Sequence, residues 1–256
     1  MKNIIINVDD LGLSPAINAA VIELAKQKRI QATSFMSLGN IHPDEVDILR
    51  QLNIDIGLHF DLTGLAQQGS LKQVLFKAYL GRFSKKELKN LIEYQLDQFE
   101  QKIGAIPDFI DGHQHVHQFP QVRQILLECI EQRYQQKIPL RNTSTFQKEL
   151  KAKIIFALGG GALKQKMQQA QWPHNASFGG IYSFNVDVNE LKRLWETWLA
   201  QAPNNSVIMC HPSQDGLSLD DEIYAARHAE YQWLLSDDFK RLWDQNNCQA
   251  QHWRNL

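Results

Sequence analysis

Apolar residues along this chain follow two patterns that take turns. Short unbroken runs at Lys2–Val8, Thr33–Leu38, Ile54–Leu58, Phe109–Ile110 and Val207–Cys210 read as strands. The centre of the first is wholly apolar, as a strand covered on both faces requires. Between these runs, apolar positions recur at helical spacing. Ser14 precedes Pro15, and Ala16, Ile17, Ala20, Val21 and Leu24 then share one face, so a capped helix starts there. Pro43–Leu52, Lys85–Ile103, Pro120–Gln136, Val188–Ala202, Asp221–Leu235 and Phe239–Gln245 read as further helices. Lys148–Gln169 is mostly helical around Gly159–Gly161, and Leu140–Asn142 is extended. Strand and helix alternate throughout, which predicts an α/β fold of parallel strands with helical crossovers. With no linker, charge block or internal repeat, residues 1–256 read as one domain.

Composition narrows the partners. The 256 residues suit one large α/β domain, and 27 basic against 28 acidic side chains leave the chain near neutrality. No basic stripe marks a nucleic-acid partner, and nothing points to an anionic membrane surface. The opening MKNIIINVDD reaches two aspartates after too short an apolar run for a signal peptide, and no later segment approaches a membrane span. Cys129, Cys210 and Cys248 are an odd number at wide spacing, which fits a reduced compartment. A cytoplasmic protein without membrane insertion is the expectation.

The chemistry gathers where the strands end. In parallel α/β folds, sites form at the carboxyl ends of the strands. Here the first strand ends in Asp9 and Asp10, and the third in His59 within GLHFDLT. The fourth ends in Asp111 and His113 within DGHQHVHQFP, and the last in His211 within CHPSQDG. Each residue alone has a plain structural use, since paired aspartates cap helices and single histidines pack or face solvent. Their coincidence at strand ends has no such account. An aspartate with two histidines makes a facial metal site with open positions. A second carboxylate beside it can take a proton from water.

The motifs NVDDLGLS, GLHFDLT, DGHQHVHQFP and MCHPSQDG, in this order from residue 7 to residue 216, resemble the YdjC-like carbohydrate deacetylases, which include chitooligosaccharide deacetylases. That resemblance implies a distorted (β/α) barrel of mostly parallel strands, related to the polysaccharide deacetylases, with a metal at its mouth. It implies Asp10, His59 and His113 as metal ligands and Asp9 as general base. His211 would sit opposite, as acid or as hydrogen-bond donor. Arg141 is a candidate to orient Asp9, or a solvated strand-end arginine, and His115 and His117 would shape the pocket. One divalent ion is expected: the ligand chemistry favours zinc, and the resemblance implies magnesium. The implied reaction removes an N-acetyl group from an amino sugar, releasing acetate. Leu11, Gly112, Ser213 and Asp61 depart from the usual residues, and none of these removes a ligand or base.

Other signals are weaker. Gly159–Gly161 lacks the Lys-Ser/Thr sequel of a phosphate loop and reads as a helix break. FGGIYSF, residues 178–184, either lines a sugar site or packs in the core. Leu191, Leu194, Trp195 and Trp198 form a helical stripe suited to a core or a subunit interface. With the interrupted helix 148–169, this stripe suggests a homodimer. Two other readings stay open at this point: a metal-dependent phosphoesterase, and a non-catalytic sugar-binding protein on the same fold.

Overall fold

The computed structural model describes residues 1–214 and 221–256. A parallel sheet of seven strands runs through it, centred on β1 (Lys2–Leu11). On one side follow β2 (Ala32–Phe35), β3 (Asp55–Phe60) and β4 (Ile110–Gly112). On the other lie β6 (Ser206–Cys210) and then β5 (Ser177–Gly179), while β7 (Cys248–Ala250) pairs with residues 2–4 of β1. Single bridges carry the sheet past β4, from Ile110 to Leu140, from Leu140 to His174, and from Thr145 to Phe178 in β5. The strands thus curl into a distorted (β/α) barrel, the expected architecture.

Ten helices are described. They are α1 (Pro15–Lys26), α2 (Pro43–Gln51), α3 (Leu71–Tyr79), α4 (Lys85–Ile103) and α5 (Pro120–Tyr134), then α6 (Leu150–Ile155), α7 (Gly161–Gln169), α8 (Val188–Gln201), α9 (Tyr224–Leu235) and α10 (Asp237–Gln245). The Ser14 side chain accepts a hydrogen bond from the Ile17 amide, and Pro15 opens α1, which buries Ile17, Ala20, Val21 and Leu24. No described helix is long and apolar enough to cross a membrane.

The two-residue period of β1 sorts its side chains. Ile4, Ile6 and Val8 join the main core that the helices cover. Ile5 points into the barrel with Phe109, Phe178, Val207 and Trp253. Trp253 stacks on Phe109 at a ring distance of 4.6 Å and plugs the barrel at the end where the strands begin.

Several elements differ from the sequence reading. β5 and β7, at three residues each, present no apolar run long enough to register. α3 buries little beyond Val74 and Ala78, although Ser70 and Gln73 form a capping box that marks its start. The last-but-one helix begins at Tyr224 rather than Asp221. The expected helix over 148–169 splits into α6 and α7 across a wide turn at residues 156–160, where Gly159 has φ 115°. Trp195 and Trp198 are buried and pack against one another, with Trp195 also against Phe239. The tryptophan stripe is therefore core, and an argument for a homodimer is left with Leu150 and Ile154 on α6, which are exposed.

Candidate metal centre

The register of β1 against β2 jumps between Val8 and Leu11, so Asp9 and Asp10 together oppose the single residue Ser34. This is a β-bulge, and Asp10 carries its strain at φ 70°. Aspartate tolerates that left-handed region better than most residues. Without the bulge, two adjacent strand residues would face opposite sides of the sheet. With it, Asp9 and Asp10 both line the mouth of the barrel.

Asp10 Oδ1 lies 3.3 Å from His59 Nε2 and 3.1 Å from His113 Nδ1, and the three ligand atoms fall within 4.8 Å of one another. One carboxylate oxygen and two imidazole nitrogens form a facial set that could hold a divalent ion with positions to spare. The outer contacts fit the same use. Asp111 holds His59 Nδ1 at 2.6 Å, which turns Nε2 toward Asp10. Burial would lower the His59 pKa, but Asp111 and Asp10 outweigh it and push it up to about 10, so the cluster favours positive charge at its centre. His113 opens a tight turn over His113–Gln118, in which Gln114 and His115 both have positive φ. Strain in consecutive non-glycine residues beside such a cluster is the kind found at functional sites.

Asp9 belongs to a different set of contacts. Arg141 donates to both its oxygens, at 2.6 and 2.7 Å, and reaches Asp111 at 2.5 Å. Asn7 Nδ2 donates to Asp9 Oδ1 at 2.8 Å, while the Trp253 indole N–H donates to Asn7 Oδ1 at 3.1 Å. Burial would raise the Asp9 pKa, yet the Arg141 guanidinium holds it well below the ordinary carboxylate range. His211 Nε2 stands 4.0 Å from Asp9 Oδ2. Burial pulls the pKa of His211 down to about 4, so its ring is neutral at pH 7. His117 is buried, shares a hydrogen bond with the Arg141 carbonyl at 3.0 Å, and likewise falls to about 4 through burial.

α9 reaches into the centre from behind. Arg227 donates to Asp10 Oδ2 at 2.7 Å and to Asp221 at 2.6 Å. Glu230, one turn along, accepts from the backbone amide of His211 and from Tyr182 Oη. Nothing local in the sequence marks Arg227 or Glu230, because their targets lie about 217 and 19 residues away and no motif spans the gaps. Asp111 was visible as a strand-end residue, but its grip on His59 was not. The last two residues of MCHPSQDG, Asp215 and Gly216, lie outside the described residues.

All five expected site residues, Asp9, Asp10, His59, His113 and His211, line one cavity of about 1570 Å³. Arg141 does hold Asp9, and His115 lines the cavity beside Phe178. The glycine pair of FGGIYSF serves close packing: a Cβ on Gly180 would meet the Met209 carbonyl oxygen at 2.1 Å. The residues after it, Ile181 and Phe184, line the cavity.

The profile of the YdjC-like protein family matches residues 3–245, which is nearly the whole chain. The chain belongs to that family. Among curated relatives, the chitooligosaccharide deacetylase of Serratia marcescens is 33% identical over 152 residues, 55% of this chain and 59% of that one. The chitooligosaccharide deacetylase of Yersinia pestis bv. Antiqua (strain Angola) is 26% identical over 226 residues, covering 83% and 82%. That of Enterobacter sp. (strain 638) is 29% identical over 132 residues, and the matched stretch spans about half of its length. The fold is that of a putative cellobiose-phosphate cleavage protein from Enterococcus faecalis V583, with TM-score 0.73, 19% identity and coverage of 100% and 98%. A peptidoglycan N-acetylglucosamine deacetylase shares it at TM-score 0.55 and 12% identity, covering 98% and 85%. In this YdjC-like chain the bulge, the His113 turn and α9 converge on one cluster of carboxylates and imidazoles.

Proposed function

We propose that the protein is a metal-dependent hydrolase that removes the N-acetyl group from an acetylated amino sugar, a chitooligosaccharide or a related N-acetylhexosamine conjugate. The observation that carries this is the division of labour between adjacent carboxylates. Asp10 turns one oxygen to two imidazoles, while Asp9, buried with Arg141, turns toward His211. The chain's similarity to the chitooligosaccharide deacetylases of Serratia marcescens and Yersinia pestis supports the same reading.

Asp10, His59 and His113 would hold one divalent ion, Mg²⁺ or Zn²⁺. When bound, such an ion polarises the amide carbonyl and acidifies water at the site. Arg141 keeps Asp9 ionised, and Asp9 takes the proton of the attacking water. Arg227 occupies the second oxygen of Asp10 and leaves the first for the ion. His211, neutral at the start, takes up at Nε2 the proton that Asp9 has collected and delivers it to the amine nitrogen. The water oxygen joins the carbonyl carbon, the C–N bond breaks, and acetate and a free amine result.

A phosphoesterase would need cationic side chains free to meet the ester. Arg141 and Arg227 are both engaged with carboxylates, which disfavours that reading. The test is acetate release from N-acetylglucosamine oligomers and conjugates, abolished by a chelator and restored by magnesium or zinc. If metal-loaded protein frees no acetate from any of them yet cleaves p-nitrophenyl phosphate, the phosphoesterase replaces the deacetylase.

A further inference from the structure

The cavity that holds the metal centre continues well beyond what one sugar ring fills. At about 1570 Å³ it exceeds the roughly 300–1,000 Å³ of ordinary small-molecule pockets. Its walls differ along their length. Asp9, Asp10, His59, His113 and His211 gather at the ends of the strands, and further polar liners, Thr63, Gln114, Gln118 and Arg227 among them, come from loops and helices outside α3 and α6. α3 and α6 contribute Leu71, Leu75, Leu150, Ile154 and Ile155, with Lys151 as their one polar liner. The Lys151 ammonium is itself engaged, donating to the Tyr182 carbonyl at 2.6 Å and lying over the Phe184 ring. Leu150 is 73% exposed and Ile154 48% exposed, although both belong to this wall.

Such a wall cannot serve the further rings of a long oligosaccharide. Sugar hydroxyls set against leucine and isoleucine would lose their water hydrogen bonds and find no partners, at a cost for each one. Aliphatic carbon set there gains from burial, because both surfaces leave water. The wall is continuous with the metal centre, so a substrate whose reacting group sits there can lay its remainder along it. A second copy of the chain seated in it would obstruct the reacting end.

From this the geometry points to an N-acetylated amino sugar joined to an aliphatic chain as the substrate, with the sugar at the metal centre and the chain along α3 and α6. The inference rests on the deacetylase reading and narrows its substrate class.

The experiment compares methyl, butyl and octyl β-glycosides of N-acetylglucosamine, below their micelle concentrations, with chitobiose and chitotriose. Each methylene newly buried should raise kcat/KM by about two- to fourfold, so the octyl glycoside should exceed the methyl by at least tenfold. In Ile154→Asp and Leu150→Asp, whose positions are exposed enough to accept a charge, the octyl-to-methyl ratio should fall toward one. Taking the ratio within each variant removes any general loss of activity. A flat series in the wild-type protein, or kcat/KM climbing instead with oligosaccharide length, overturns the proposal. So does a rising series that Ile154→Asp leaves intact while converting a dimer to a monomer, since the wall would then be a subunit contact. If no sugar of either kind releases acetate, the deacetylase reading fails separately. Calorimetry then decides the chain: octyl glycoside binding no tighter than methyl removes the aliphatic site as well.

Discussion

Arg141 places two donors on Asp9, whereas Asp10 divides its oxygens between Arg227 and two imidazoles. Substitution should separate these roles. Asp9→Asn keeps the shape but cannot take a proton, so turnover should fall by roughly 10²–10⁴-fold with metal retained. Asp10→Asn removes a charged ligand, so metal content should drop and excess metal should recover part of the rate. Elemental analysis beside kcat at saturating metal checks both, and an exchange of the two phenotypes would reverse the assignments. His117 makes a second test, through pH. Its folded pKa of about 4 lies below the 6.5 of an exposed histidine, so between these values the unfolded chain binds a proton that the folded chain refuses. Its contribution to stability is therefore full above 6.5 and lost progressively as pH falls toward 4. His117→Asn should flatten the fall in urea-midpoint stability over that window relative to the wild type. Parallel curves would contradict a buried neutral imidazole.

At the scale of elements, strand ends and close approaches set the tolerances. Gly180, the residue after β5, lies against Met209 of β6: its φ is 91°, and a Cβ there would meet the Met209 carbonyl oxygen at 2.1 Å, which leaves no place for a side chain. Gly180→Ala should cost about 2–3 kcal/mol through strain and forced separation of the strands. Gly81, also at positive φ but with nothing within 4 Å, is the control. Its alanine variant should cost about 1 kcal/mol, the backbone term alone. Equal losses in denaturant titrations would show that close approach is unimportant at Gly180. α9 adds a different dependence: Arg227 and Glu230 stand one turn apart and hold Asp10 and the His211 backbone together.

For the whole molecule, the barrel has a reacting end and a plugged end, and the two are connected. Trp253 fills the base against Phe109, and its N–H holds Asn7, which in turn donates to Asp9. Trp253→Ala should cost about 3–5 kcal/mol as a core cavity. Trp253→Phe, which can keep the stack and loses the N–H, should cost less stability but still lower kcat by loosening Asn7. A full-rate Trp253→Phe variant would limit Trp253 to packing.

The sequence by itself determined the parallel α/β class, the order of the main strands and the identity of the chemical groups. These are local properties: apolar runs, helical spacing, and polar residues placed where a run stops. Asp9, Asp10, His59, His113 and His211 were legible because each ends or follows a strand, and parallel strands all end at one mouth. β5 and β7 were not, because three-residue strands are made by their neighbours rather than by their own composition. The tryptophan stripe was legible as apolar but not as core, since periodicity names a buried face without naming what buries it. Only the tertiary structure decided which aspartate meets which arginine. The bulge at Asp10 follows from pairing with β2, and the partners of Asp9 and Asp10 arrive from 132 and 217 residues along the chain. Charge pairing at the mouth of the barrel depends on distance in space, and no local pattern encodes that distance.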